Sequence, residues 1–74
     1  MKADFFIGNS FKRDVELEAI PPIGTCIMHD GVCIAVVLNI ALHVELSKWS
    51  IFCRINKNRK VTEVRERFLE NTNV

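Results

Sequence analysis

The amino-acid sequence predicts a mainly β fold with one C-terminal α-helix: a small antiparallel five-stranded sheet curled into a partly open barrel. Three observations carry that expectation. Asp30-Gly31 lies between two apolar runs, and Asp-Gly is a strong signal for a two-residue type I′ hairpin. Charged and apolar residues alternate with a period of two over Phe11–Ala19, the mark of a half-buried strand. After Lys60 the spacing changes, and Val61, Val64 and Phe68 recur at helical intervals.

Each element follows in chain order. Lys2–Ile7 is short and rich in β-formers, and Gly8-Asn9-Ser10 reads as a turn. In the next segment Phe11, Val15, Leu17 and Ala19 face the core and charged residues lie between them. A helix over 11–19 is the alternative, capped by Ser10, but it would leave Leu17 off the apolar face. Pro21-Pro22 ends the strand, because neither residue can donate to a ladder. Folding at Asp30-Gly31 then pairs Ile27 with Ile34, Thr25 with Val36 and Ile23 with Leu38.

A second turn at Leu46-Ser47 pairs Glu45 with Lys48, Val44 with Trp49, Leu42 with Ile51, Ile40 with Cys53 and Leu38 with Ile55. Both registers put Ile34, Val36, Leu38, Ile40, Leu42 and Val44 on one face of a long central strand, Val32–Glu45. The other face carries Cys33, Ala35, Val37, Asn39, Ala41 and His43, with Cys26, Met28, Phe52 and Arg54 beside them. That face is too apolar to be fully wetted, so the helix, a curled strand or another subunit covers it. The helix near 60–70 has a stripe of Val61, Val64, Phe68 and Leu69, with Asn58 or Thr62 as its cap.

Length and composition bound the function. Seventy-four residues make one small domain, 1–74, whose core is marginal alone. Net charge is +1, unevenly spread. Residues 1–47 are acidic overall, whereas 48–67 carry Lys48, Arg54, Lys57, Arg59, Lys60, Arg65 and Arg67 against Glu63 and Glu66. Three cysteines and no secretory segment point to a reducing, cytoplasmic compartment. The longest apolar stretch, Val32–Leu42, is about half the roughly 20 residues that a membrane span needs.

No catalytic, cofactor or metal site is expected. Cys26, His29 and Cys33 lie close in sequence, but the hairpin turns His29 away from the two cysteines, and no zinc-knuckle spacing is present. Cys33 and His43 stand too far apart along one strand to form a nucleophile and base. Glu16 and Glu18 read as a charged strand edge that discourages aggregation. The candidate nucleic-acid contacts are Arg54, Lys57, Arg59 and Lys60, which cluster at the approach to the helix and can neutralise phosphates. Against that reading stand the absence of Tyr and the placement of most Phe at core positions, since single-strand binders stack bases on exposed aromatics.

The run from Ile20 to Val37, IPPIGTCIMHDGVCIAVV, resembles small SH3-like barrels of uncharacterised function from phages and integron gene cassettes. There a Pro-x-x-Gly turn opens a strand, an Asp-Gly turn follows and a Val-rich strand returns. The resemblance covers about a quarter of the chain and implies a non-enzymatic binding module without assigning a functional residue. The leading expectation is thus a small accessory or adaptor module that works by contact with an unidentified protein partner. Nucleic-acid binding is the alternative. A homodimer is expected from the short chain and its spare apolar face.

Overall fold

In the computed structural model, described over residues 1–8, 10–60, 62 and 64, five strands form one open, half-barrel sheet. The strands are β1 (Lys2–Ile7), β2 (Ser10–Glu16), β3 (Cys26–His29), β4 (Val32–His43) and β5 (Lys48–Ile55), and their spatial order is β2-β1-β5-β4-β3. Two hairpins, β1–β2 and β3–β4, contribute the sheet edges. β5 lies between them, antiparallel to β4 and parallel to β1.

The expected fold class is corrected on two counts. The sheet is mixed, because β1 runs parallel to β5, with Phe5 beside Ile51 and Ile7 beside Cys53. No α-helix occurs among the elements of the described residues. The expected helix near 60–70 lies largely outside them, including Val61, Arg65, Arg67, Phe68 and Leu69. Val64 is described: its N–H donates to the Lys60 carbonyl at 3.1 Å, and its side chain is buried in the core. Asn9, within the expected first turn, also falls outside the described residues.

The Asp30-Gly31 turn forms as its chemistry demands. Both residues have positive φ, +52° and +76°, the type I′ combination. His29 pairs with Val32 and Met28 with Cys33, in the expected register, but the expected pairs Ile27–Ile34 and Thr25–Val36 do not form. A bulge follows. Ile34 is the extra residue, and beyond it Ile27 faces Ala35 and Cys26 faces Val36. Ile34 and Ala35 are therefore both buried although adjacent in the chain.

A second bulge, at Leu38, lies between the Val37–Cys53 and Asn39–Phe52 pairs. The two bulges reverse the facing of β4 and then restore it. Ile34, Ala35 and Val37 are core residues and Ile40 packs against them. Val36 is left half-buried and Leu38 exposed. The expected core face of β4 is corrected accordingly: Val36, Leu38, Leu42 and Val44 do not belong to the buried core, and Ala35 and Val37 do.

The β4–β5 connection is also corrected. A single 3₁₀ turn over Val44–Leu46 closes it, with Ser47 in the left-handed region at φ +50°. His43 thus pairs with Lys48, Leu42 with Trp49 and Ile40 with Ile51, two residues from the expected register. A shift of two preserves facing at Trp49 and Ile51; beyond the Leu38 bulge the shift is three, with Cys53 opposite Val37 and Ile55 opposite Ala35, and all four β5 residues point inward.

β2 is a strand, as its alternation predicts, but it ends at Glu16 rather than Ala19. A bulge opposite Asp4 puts Asp14 at φ +53°, a conformation that Asp tolerates better than most residues. Val15 and Leu17 pack on the core, while the Phe11 ring lies near Phe6 on the other face. Pro22-Ile23-Gly24-Thr25 forms a turn closed by Thr25 N–H to Pro22 O at 3.2 Å, with Gly24 at φ +94° as a type II turn requires. Asn56 fastens the far end: its Nδ2 donates to Cys33 O at 2.8 Å and its N–H to Ile34 O at 2.9 Å.

Candidate functional site

The core, which includes Ala3, Phe5, Ile7, Ile34, Ala35, Val37, Ile51, Cys53 and Val64, lies on one side of the sheet. On the opposite, outer face, β5 supplies Lys48, Ser50, Phe52 and Arg54 in sequence. These four residues divide the face into a charged end, a polar step, an aromatic centre and a basic end.

At the charged end Lys48 Nζ lies 3.0 Å from Asp4 Oδ1 and 2.7 Å from Asp14 Oδ1. The Asp14 N–H also donates to Asp4 Oδ1, at 2.9 Å, so the bulge in β2 aims two carboxylates at one ammonium. The hydrogen bond from Lys48 holds the Asp14 carboxyl below its usual range, and the bonds to Asp14 and then Asp4 push Lys48 up. A lysine held more firmly protonated is a poor nucleophile, and an aspartate held more firmly ionised is a poor general acid. The triad is therefore suited to holding charge in place.

Its linkage to stability has a definite sign. Asp14, with a depressed pKa, contributes above its ordinary value of 3.8 and loses that contribution as pH falls through the lower folded value. Lys48, with a raised pKa, contributes below 10.5 and loses that contribution as pH rises through its higher folded value. Lys48→Met is expected to lower the thermal midpoint throughout the neutral range. Its deficit should shrink once the carboxylates are protonated in strong acid, as circular dichroism melts at several pH values would show.

Beside the triad, His43 Nε2 and Ser50 Oγ are 2.8 Å apart, joined across β4 and β5. This pair is not legible in the amino-acid sequence, because its contact depends on the observed register. A hydroxyl and an imidazole at that distance have the geometry of a nucleophile and base. Ser50, however, is only 4% exposed, so no substrate carbonyl reaches its oxygen. The hydrogen bond satisfies a buried hydroxyl.

The aromatic centre is a row running across three strands. Phe6 and Phe52 are direct cross-strand partners, with ring centroids 5.1 Å apart and planes 17° from parallel. Phe11 continues the row at 6.4 Å from Phe6, and the Arg13 guanidinium sits 5.0 Å over the Phe11 ring. The 5.1 Å separation is close to the spacing between neighbouring strands, so the Phe6 and Phe52 rings stand on edge like books on a shelf. Phe6 thus has two ring neighbours, Phe52 stacked on it and Phe11 tilted by 36°. A shallow depression of about 260 Å³, lined by Asp4, Phe6, Phe11, Arg13 and Lys48, separates the row from the triad.

At the basic end Arg54 pairs with Val36, whose other neighbour is Cys26. Cys26 and Cys33 share this face; the Cys33 thiol donates to Ala35 O at 3.5 Å, and its proximity raises the pKa of Cys26. Cys53, by contrast, faces the core, and burial alone pushes its thiol up to about 11. Among the described residues no group of three His, Cys, Asp or Glu side chains is placed to hold a metal ion. Alkylation with iodoacetamide at neutral pH should modify the exposed Cys26 before Cys53. It should reach Cys53 more slowly because burial both shields that sulfur and keeps it in the unreactive thiol form. Peptide mass spectrometry in native buffer and in denaturant checks this, and equal rates in native buffer would contradict the placement.

Of the expected nucleic-acid contacts, Arg54, Lys57 and Lys60 are exposed and Arg59 is half-buried. Lys57 lies in the Asn56–Arg59 turn, closed by Arg59 N–H to Asn56 O at 2.7 Å. Only Arg54 belongs to the outer face of the strands. No helix of the described residues is long and apolar enough to cross a membrane. No family model, curated protein or solved structure matches this chain.

Proposed function

We propose that this chain is a small, non-enzymatic accessory module that acts by protein–protein contact through the outer face of its sheet. The on-edge aromatic row supports this reading. Phe52 is 40% exposed, and the half-buried Phe6 and Phe11 extend the row across three strands. Arg13 lies at one end and Arg54 follows Phe52 along β5. An apolar, aromatic centre with arginines at its margin is the composition that protein interfaces favour. Base stacking needs a free π face, and the faces of Phe6 and Phe11 are engaged within the row: Phe52 stacks on Phe6, and Arg13 covers Phe11. Three free thiols fit a reducing cytoplasm.

The test compares immobilised wild-type chain with Phe52→Asp and with a Lys57→Ala/Lys60→Ala variant. A stoichiometric protein partner should be retained by the wild type and the lysine variant and lost with Phe52→Asp. Labelled single-stranded DNA and RNA should not bind at low salt. Nucleic-acid affinity that falls linearly in log salt, with a slope flattened by neutralising Arg54, Lys57, Arg59 and Lys60, would replace this reading with the other.

A further inference from the structure

We infer that β3 is a dimerisation edge, on which two copies of this chain pair antiparallel across a two-fold axis into one continuous sheet. This surface is separate from the aromatic face, and the inference stands or falls independently of the proposed function.

The open sheet has two edges, β2 and β3, and they differ in chemistry. β2 is guarded. Lys12, Arg13, Asp14 and Glu16 charge it, and the bulge at Asp14 disrupts its ladder. These are the devices by which natural edges resist pairing. β3 carries none of these charges. No Asp, Glu, Lys or Arg occurs from Ala19 to His29. Its surroundings are apolar: Met28 is 58% exposed, and Ile23, on the turn before the strand, 65%. Leu38, 51% exposed, follows Val37, which is hydrogen-bonded to Gly24 and Thr25.

The main chain of β3 suits a second copy. The Val37 N–H donates to Thr25 O at 2.9 Å, and His29 pairs with Val32 across the turn. Alternation therefore directs the C=O of Thr25 and the N–H and C=O of Ile27 and His29 toward β4, and the N–H and C=O of Cys26 and Met28 away from it. Two outward residues flanking Ile27 are symmetric about it. A two-fold axis at Ile27 lets Cys26 of each copy exchange both backbone hydrogen bonds with Met28 of the other. In that register Asp30 lies opposite Gly24, so no like charges meet. The mismatch between a charged β2 and an uncharged β3 disfavours head-to-tail growth, and β3 on β3 closes as a dimer. The β3 edge is thus fitted to itself.

Light scattering coupled to size exclusion, on the full chain from micromolar to millimolar concentration, tests this. A mass approaching twice 8.5 kDa is expected as concentration rises. Met28→Lys and, separately, Met28→Pro should return it to the monomer mass with circular dichroism unchanged, since that N–H does not serve β4. Glu16→Lys on the far edge and Phe52→Asp on the outer face should leave the dimer intact. Amide hydrogen exchange covers the case in which a Met28 variant misfolds. In the wild type the Cys26 and Met28 amides should be protected at high concentration and lose that protection at least 10-fold on dilution. A monomer at every concentration would overturn the inference. So would a dimer that survives both Met28 variants, one dissolved by Phe52→Asp, or exchange at Cys26 and Met28 that ignores concentration.

Discussion

Val37→Asp should unfold the chain, whereas Leu38→Asp, one residue on, should leave the fold intact. Val37 is fully buried, and Leu38 is 51% exposed. A domain of this size has a total stability of roughly 4–11 kcal/mol at the usual 0.05–0.15 kcal/mol per residue. Losing the buried valine forfeits about 1.5–3 kcal/mol of apolar burial. An unpaired carboxylate in that position adds several kcal/mol more, with no cation among the core residues to offset it. Together these reach the lower part of the stability range. At Leu38 the carboxylate stays in water, and a change under about 1 kcal/mol is expected. Far-ultraviolet circular dichroism and urea titration of both variants decide the matter. The comparison is sharp because regular alternation through β4 from Ile34 would give the reverse order. A folded Val37→Asp would show that the bulge at Ile34 is misplaced.

The same two residues show what could be read from the sequence and what could not. The Asp30-Gly31 turn was legible because its backbone requirement is local: positive φ at both positions leaves few alternatives to Asp-Gly. The strand at β2 was legible from its alternation, though its bulge at Asp14 was not. The bulges at Ile34 and Leu38 leave no local mark, since Cys33 through Val37 is apolar on both faces and either facing satisfies the pattern. The parallel pairing of β1 with β5 joins segments more than forty residues apart, and nothing in either strand records its direction. The outer face was missed for a related reason. Phe is most often buried, so most of the five were expected at core positions and only Phe52 on the other face, yet pairing Phe6 with Phe52 and the bulge in β2 gather three of them outside. The basic residues from Arg54 to Lys60 were visible as charges. Their separation into one strand residue and a turn was not, because it follows from where β5 ends.

Ile51→Ala is expected to lower stability by about 2–4 kcal/mol and to weaken both halves of the sheet together. Ile51 is fully buried at the middle of β5, with Phe5 beside it on β1 and Ile40 on β4. β5 is the strand that joins the β1–β2 hairpin to the β3–β4 hairpin, and neither hairpin pairs with the other except through it. An isolated two-stranded hairpin is marginal in water at best. A cavity at Ile51 therefore lies where each hairpin gains most of its support. Urea denaturation should show one transition moved to lower concentration with an unchanged slope, because the surface exposed on unfolding stays nearly the same. Native-state hydrogen exchange should show the amides of β1 and β4 losing protection by similar factors. Ile40→Ala provides the contrast: Ile40 is half-buried, so the loss should be smaller. If Ile51→Ala instead released β1 and β2 while β3, β4 and β5 kept their protection, the N-terminal hairpin would be a separately unfolding unit, and β5 would not be the strand that makes the sheet cooperative.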